Sequence, residues 1–413
     1  MCYLDVTVDF YYIKFLGAAK KYTSYENLYQ TRCAFKLIFV VIFNNMRLIK
    51  NIMIGVLLVA IIIGIGTLWF LNTERFGKHP SGERLARIKQ SPNYKNGSFQ
   101  NLNDTPMLSE GVRYSTVLSE FLFSSKPKEP TEIPSVKTDL KSLNADEAVL
   151  IWMGHSSYFI QIDGKKILVD PVFSGNASPL SFTTKAYKGT DVYTAEDIPD
   201  IDYLFLSHDH WDHMDYRTLK QLQPKIKTVI TGLGNGAHLE HWGYKPEIIV
   251  EGGWNDLVVN ENGFEIYMTP ARHFSGRGLK RAQTLWASFV LKTPSSNIYI
   301  GGDSGYYTHF KTIGEQYGPF DLVILENGQY DKNWKYIHML PGEQLVAATD
   351  LQAKSILPVH TAKFTLANHA WNEPLEKMVE AAKNKNIRVI TPLIGQQVNL
   401  TDSLQTFKLW WDF

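Results

Sequence analysis

The sequence predicts an α/β protein, a four-layer αββα sandwich of two sheets packed face to face and clad by helices, preceded by an N-terminal transmembrane helix. Three observations carry this expectation. Short apolar runs of strand type recur in both halves of the chain, with stretches of helical spacing between them. One such run, Ile201 to Leu206, leads directly into His208-Asp209-His210-Trp211-Asp212-His213. Ahead of these, Ile52 to Leu71 is an uninterrupted uncharged stretch, about the 20 residues that a membrane-spanning helix needs.

Composition narrows the function. The chain has 413 residues, enough for one large domain with an N-terminal attachment. Lys and Arg number 42 against 41 Asp and Glu, so no global field points to a nucleic-acid partner and none is expected. An aromatic content of 13% argues for an ordered protein. Both cysteines, Cys2 and Cys33, lie at the start, which excludes a cysteine nucleophile, thiolate metal ligands and a disulfide framework from the rest of the chain.

Residues 1–45 are aromatic-rich without clear periodicity. Met46-Arg47-Leu48-Ile49-Lys50 reads like the charged start of an exported bacterial protein, so 1–45 are expected to be an over-extended reading frame. Residues 46–71 are expected to form a membrane anchor, because no small-x-small cleavage site follows the apolar run. Arg47 and Lys50 before the span lean towards a single-pass protein with a cytoplasmic N-terminus and the bulk of the chain outside. Residues 72–147, rich in Ser, Pro, Asn, Lys and Glu, read as a wrapping arm, with short helices after Pro80 and between Gly111 and Phe123.

The main domain is expected over 148–413. Its first strands are Val149 to Trp152, Tyr158 to Ile162 and Lys166 to Val169, the last two joined by the hairpin turn Asp163-Gly164. After the histidine cluster, Tyr216 to Leu222 is helical, and strands follow at 228–230, 248–250 and 264–268. The second half repeats this alternation, with strands at 286–291, 298–300, 322–325 and 355–359 and helices at 341–351 and 374–383.

Side chains two apart on extended backbone point the same way, so His208 and His210 can grip one ion. The turn that follows lets Asp212 and His213 face a second. Neutral imidazoles and carboxylates suit zinc, with iron or manganese as alternatives. Three later residues also stand where strands end: His273 after Tyr267 to Arg272, Asp303 after Ile298 to Gly302, and His360 after Ser355 to Val359. The two glycines before Asp303 let backbone pass close to something bulky.

This order, HxHxDH, then Pro270-Ala271-Arg272-His273, then Gly301-Gly302-Asp303-Ser304-Gly305-Tyr306, then His360, resembles the metallo-β-lactamase fold superfamily. Within it, the chain is similar to N-acylphosphatidylethanolamine-hydrolysing phospholipase D and its bacterial relatives. The likeness extends over Tyr317 to Leu322, His338 to Gln344 and Phe364 to Asn368, and covers roughly 148–383. It implies that His208, His210 and His273 hold one zinc and that Asp212, His213 and His360 hold the other, with Asp303 bridging both. Two metals about 3.5–4 Å apart activate a water and clamp the phosphoryl oxygens during in-line attack.

The resemblance also implies a substrate-side role for His338, on a phosphate oxygen or on the leaving group. His155 and Asp170 end strands near the site edge and are expected to touch substrate or support the ligands. Trp211 is expected to pave the pocket floor, and Asp209 to be solvated or bonded within its loop. His238, His241, His309 and His369 are expected to be structural or surface residues. The chain departs from the mammalian lipid enzymes, which have a Pro-Ile-Gly-Ala-Tyr type segment, at Glu326-Asn327-Gly328-Gln329-Tyr330.

The expected function is therefore a membrane-anchored dinuclear zinc phosphodiesterase acting on phospholipid-like or small phosphodiester substrates. The rivals are a lactonase or ester hydrolase of the same fold and a non-catalytic, membrane-tethered metal-binding protein. Retention of all seven ligand positions favours an enzyme.

Overall fold

A computed structural model describes residues 25–123 and 129–411, and the chain divides between Asn72 and Thr73 into two compact units. In the first unit a single helix, α1 (Tyr25–Leu71), runs through both apolar stretches. It starts well before the expected span because Asn44 to Asn51 holds neither proline nor glycine, so nothing interrupts the helix there. It is long and apolar enough to cross a membrane. At 47 residues it measures about 70 Å, more than twice the bilayer hydrocarbon thickness. Residues 1–24, the rest of the expected extension, lie outside the described residues.

The second unit is built on two seven-stranded sheets. A small hairpin, β1 (Tyr94–Lys95) and β2 (Ser98–Phe99), precedes them. The first large sheet uses β3 (Val149–Trp152), β4 (Tyr158–Ile162), β5 (Lys165–Val169), β6 (Ile201–Leu206), β7 (Ile226–Gly232) and β8 (Ile249–Gly252). The second uses β9 (Leu257–Glu261), β10 (Phe264–Thr269), β11 (Ser288–Lys292), β12 (Asn297–Ile300), β13 (Leu322–Glu326), β14 (Ser355–Val359) and β15 (Arg388–Val389). The last strand, β16 (Gln397–Asn399), returns to the first sheet and pairs antiparallel with β3.

Each sheet begins as an antiparallel meander and continues with parallel strands: β3, β4 and β5 then β6, β7 and β8 in one, β9 to β12 then β13 to β15 in the other. The β4–β5 turn works because Asp163 and Gly164 both take positive φ, 48° and 74°, which matches the twist of a tight hairpin.

Side-chain alternation builds the layers. On β6, Tyr203 and Phe205 enter the core between the sheets, while Ile201, Leu204 and Leu206 enter a second core on the outer face. Burial on both faces explains why these strands read as continuous apolar runs. The outer core of the first sheet is covered by α4 (Tyr216–Leu222) and α5 (Gly236–His241), through Leu219, Leu222 and Leu239. That of the second lies under α6 (His309–Tyr317), α7 (Glu343–Asp350) and α8 (Glu373–Ala382), through Phe310, Ile313, Leu345 and Met378. The result is the αββα order.

The described residues of 73–147 lie along this sandwich. The helix α2 (Gly82–Ile88) buries Ile88 with Phe99 of β2 against Leu233, Leu285 and Trp286. Further on come α3 (Tyr114–Phe123), Ile133 in the inter-sheet core and Leu140 in the outer one. Arg84 of α2 is clamped by Glu240 and Glu251, each at 2.8 Å.

The topology runs β3, β5 and β6 in one direction, and β10, β12, β13 and β14 likewise in the facing sheet. Residues that follow these strands therefore emerge together at one edge of the sandwich, where the candidate ligands are found.

Candidate metal centre

Strand ends deliver the side chains. Behind β6, Ser207 donates from its backbone N–H to Asp170 Oδ1 (2.8 Å) and from its hydroxyl to Asp170 Oδ2 (2.6 Å). The loop that follows is thereby tied to the end of β5. On the other sheet, Gly302 has φ 59°, and a Cβ there would come within 2.9 Å of Ala287 O and 3.0 Å of Ser207 Cβ. Only glycine lets the backbone carrying Asp303 pass so close to β6. His155 and His360 also take positive φ, 52° and 62°, and are locked by backbone bonds: His360 N–H donates to His155 O, and His155 N–H to Thr361 O. Such conformations cost about 1–3 kcal/mol each and persist at sites where they aim a side chain.

Seven expected ligands come together in two adjoining groups. In the first, His210 Nδ1 lies 2.8 Å from His208 Nε2 and 3.2 Å from His273 Nε2. In the second, Asp212 Oδ2 lies 3.5 Å from His213 Nε2, with His360 in the same group. Asp303 stands between the groups. Its Oδ2 is 3.1 Å from His213 Nε2, 3.7 Å from His273 Nε2 and 3.9 Å from His208 Nε2, and its Oδ1 is 3.2 Å from His360 Nδ1.

The residues fit divalent cations. Buried polar atoms normally find partners, yet His213 Nε2, Asp303 Oδ1 and His155 Nδ1 are buried and, among the described residues, have no hydrogen-bond partner. Two of these orphans point into the middle of the cluster. Burial, reinforced by neighbouring histidines, pushes His208, His273 and His360 well below the ordinary imidazole range, so their lone pairs stay available. Burial works against ionisation of Asp212 and Asp303 too, but the adjacent His213 overrides it and holds both low. His213 itself is raised, because Asp303, Asp212 and Asp170 outweigh its burial. The neutral imidazoles of His208, His210, His273 and His360 around shared carboxylates form a donor set for zinc, iron or manganese, which His213 would join by giving up its proton to a cation.

The supporting residues divide clearly. Asp170 Oδ2 accepts from His213 Nδ1 at 2.8 Å, which turns His213 Nε2 inward. Ile337 O does the same for His273, at 2.9 Å from Nδ1, and Ser156 Oγ lies 3.0 Å from His360 Nδ1. His155 stands inside the second group, its Nε2 2.9 Å from Asp212 Oδ2 and its ring 4.2 Å from that of His360. Trp211 turns to a shallow cleft beside the loop, lined also by Arg75, Ser174, Tyr216 and Arg217; it packs edge-on against Phe76 and beneath Arg277.

Asp209 corrects one expectation: it is neither solvated nor bonded within its own loop, but buried and bonded to distant residues. It accepts from Gly276 N–H (2.6 Å), Thr284 Oγ1 (3.1 Å) and His238 Nε2 (3.2 Å). Lys78 N–H donates to His238 Nδ1, so the proton on this ring sits on Nε2, facing Asp209.

Sequence reasoning missed Arg277, and it marked Glu326 only as part of the departure from the mammalian lipid enzymes, without its partner. Arg277 is buried and donates to Asp209 O (2.9 Å) and Met214 O (2.6 Å), bracketing the histidine loop, while also reaching Arg75 O (2.9 Å). Glu326, at the end of β13, is buried with Oε2 2.6 Å from His338 Nδ1. Burial pushes its carboxyl up to about 7 against the pull of His338. The His338 ring stacks on that of His360 at 5.3 Å and lies 5.0 Å from that of His273, so it belongs to the cluster.

The chain is similar to known proteins. Residues 165–361 match the beta-lactamase superfamily domain. An uncharacterised protein of Mycobacterium tuberculosis is 36% identical over 355 residues, covering 83% of this chain and 94% of that one. N-acyl-phosphatidylethanolamine-hydrolyzing phospholipase D 1 of Caenorhabditis elegans is 28% identical over 330 residues, 75% of this chain and 89% of that protein. A metal-dependent hydrolase of Caldivirga maquilingensis is 30% identical over 253 residues, 61% of this chain and 97% of its own length. With its αββα sandwich and its histidine and aspartate cluster at the strand ends, the chain belongs to the metallo-β-lactamase superfamily, as a metal-dependent hydrolase related to the N-acyl-phosphatidylethanolamine-hydrolysing phospholipases D.

Proposed function

We propose that this protein is a membrane-anchored phosphodiesterase with a two-metal centre, acting on phospholipid-like or small phosphodiester substrates. Zinc is the metal of choice, with iron or manganese as alternatives. His208, His210 and His273 would hold one ion, and Asp212, His213 and His360 the other, with Asp303 shared. The observation that carries this is Asp303 standing between both groups, its Oδ1 buried and, among the described residues, without a hydrogen-bond partner. When bound, two such cations supply Lewis acidity to a phosphoryl oxygen and lower the pKa of a water.

The chain's own residues do the rest. Asp170 and Ile337 O hold His213 and His273 by Nδ1, which keeps both Nε2 lone pairs facing inward. Asp303 Oδ1 is the atom suited to take the proton of the attacking water. His338, exposed over 12% of its side chain against 1% for His273, is the histidine able to meet a phosphate oxygen or the departing alcohol. No thiol exists in the second unit, so water rather than cysteine is the nucleophile. Likeness to the worm phospholipase D over 75% of the chain supports the lipid phosphodiester reading. The apolar α1 supports an anchor that keeps the site near its substrate, and Arg47 and Lys50 before the apolar run favour the extracytoplasmic side for the hydrolase unit.

The test pairs metal analysis with hydrolysis by the detergent-solubilised full chain. N-acylphosphatidylethanolamine, bis(4-nitrophenyl) phosphate and a lactone are compared. Two metals per chain with turnover of the phosphodiesters is the expected result. Turnover of the lactone alone overturns the substrate class, and a metal-free, inactive protein after zinc addition overturns the enzyme reading.

A further inference from the structure

The most unusual group outside the expected ligands is the carboxylate of Glu326. It ends the fully buried strand β13, is 1% exposed, and among the described residues its only side-chain partner is the ring of His338. Both oxygens accept: Oε2 from His338 Nδ1 at 2.6 Å, and Oε1 from the backbone N–H of Met339. The adjoining His338 ring is held on its faces and edges as well, stacked 14° from parallel on His360 and edge-on to His273. One ring nitrogen, Nδ1, is thus fully used on the protein side.

We infer that Glu326 is the positioning residue for His338: it keeps a proton on Nδ1, fixes the ring, and leaves Nε2 as the nitrogen that meets substrate. Glu326 itself touches neither substrate nor the reacting atoms. Its effect passes through His338, as carboxylates behind active-site histidines set which nitrogen carries the proton.

Chemistry of the amide makes this testable. In Glu326→Gln the side chain keeps its size but has one acceptor and one donor group. The Met339 N–H can only donate, so the amide oxygen must turn to it and the NH2 must face His338 Nδ1. That nitrogen is then forced to accept, and the ring proton moves to Nε2. A merely structural tie to Met339 would lose nothing of this kind.

The experiment uses metal-loaded full-length protein in detergent, with 15N-labelled histidine, at pH 8. His338 is assigned by comparison with His338→Ala, and its ring nitrogens are read by long-range 1H–15N correlation. The expected result is a proton on Nδ1 in the wild type and a pyridine-type Nδ1 in Glu326→Gln. Metal content should stay at the wild-type level, and kcat on bis(4-nitrophenyl) phosphate should fall about 10- to 100-fold. An unchanged protonation pattern in Glu326→Gln overturns the inference, and so does loss of metal, which would make the carboxylate a ligand. A proton switch with unchanged kcat overturns the substrate-facing role of Nε2. The kinetic arm rests on the phosphodiesterase reading, whereas the protonation arm does not. A wild type that hydrolyses no phosphodiester yet shows the switch refutes that reading and upholds the positioning.

Discussion

Replacing Asp170 by Asn should weaken metal binding without disturbing the fold. Asp170 Oδ1 accepts from Ser207 N–H at 2.8 Å, and Oδ2 accepts from Ser207 Oγ at 2.6 Å and His213 Nδ1 at 2.8 Å. An asparagine can retain the first bond through its oxygen. Its NH2 can donate to the serine hydroxyl, which rotates to accept. Only the third contact fails, because NH2 meets N–H. To relieve that clash, His213 must shift its proton to Nε2, the atom 3.1 Å from Asp303 Oδ2, and so lose the lone pair that would hold a cation. Asp170 has φ 39°, a conformation that Asn tolerates, so backbone strain does not confuse the result. Loss of one such support costs about 10- to 100-fold in affinity, about 1.4–2.7 kcal/mol. Competition with a graded zinc chelator on the full-length protein measures this, read as two sites. One site should weaken by that factor and the other should hold. Wild-type affinity at both sites, with the Asn variant folded, would refute the role given to Asp170.

Three further outcomes follow from the same contacts. Arg277→Lys leaves a point charge where a guanidinium served three carbonyls; two lost charged hydrogen bonds predict destabilisation of about 3–6 kcal/mol, seen as a lower Tm. Asp303→Asn should keep the protein folded and cut phosphodiester turnover at least about 100-fold, measured at saturating metal. The hydrogen bond from Arg84 holds Glu240 below its ordinary 4.5, so its contribution to stability is full above that pH and fades as pH falls below it. Arg84→Met should therefore flatten the acid limb of Tm against pH between about 3 and 5 and leave a smaller difference between pH 3 and pH 7 than the wild type shows.

The parts legible in the sequence are those that local rules govern. HxHxDH after an apolar strand is readable because strand and turn fix the geometry over a few residues. His273, Asp303 and His360 are readable because each follows an apolar run whose direction the fold shares. The unread parts depend on partners far away in the chain. Arg277 sits in Ser275-Gly276-Arg277-Gly278, which carries no signal that its target is the loop 63 and 68 residues earlier. β16 is three residues of mixed polarity and exists only by pairing with β3. α6 did have a readable pattern in Phe310, Ile313 and Tyr317, diluted by Gly314 and by polar residues between them. Glu326 left one clue: a carboxylate closing the run Leu322 to Leu325, at the same strand end as every candidate ligand.

That clue has a counterpart on the opposite sheet. Asp170 immediately follows β5, beside the ligand-bearing end of β6, and holds His213 by Nδ1. Glu326 ends β13, between the strands that precede Asp303 and His360, and holds His338 by Nδ1. Two strand-end carboxylates, one per sheet, thus govern two histidines with different tasks. His213 faces Asp212 and Asp303 within the metal cluster, whereas His338 is the more exposed ring beside it. The same chemical change, one oxygen for one amide, should therefore have separable effects. Asp170→Asn should move metal affinity and spare kcat once metal is saturating; Glu326→Gln should move kcat and spare affinity. If each variant changed both quantities, the two carboxylates would act as one hydrogen-bonded network through the stacked rings of His338 and His360, and the division of labour argued from their partners would be wrong.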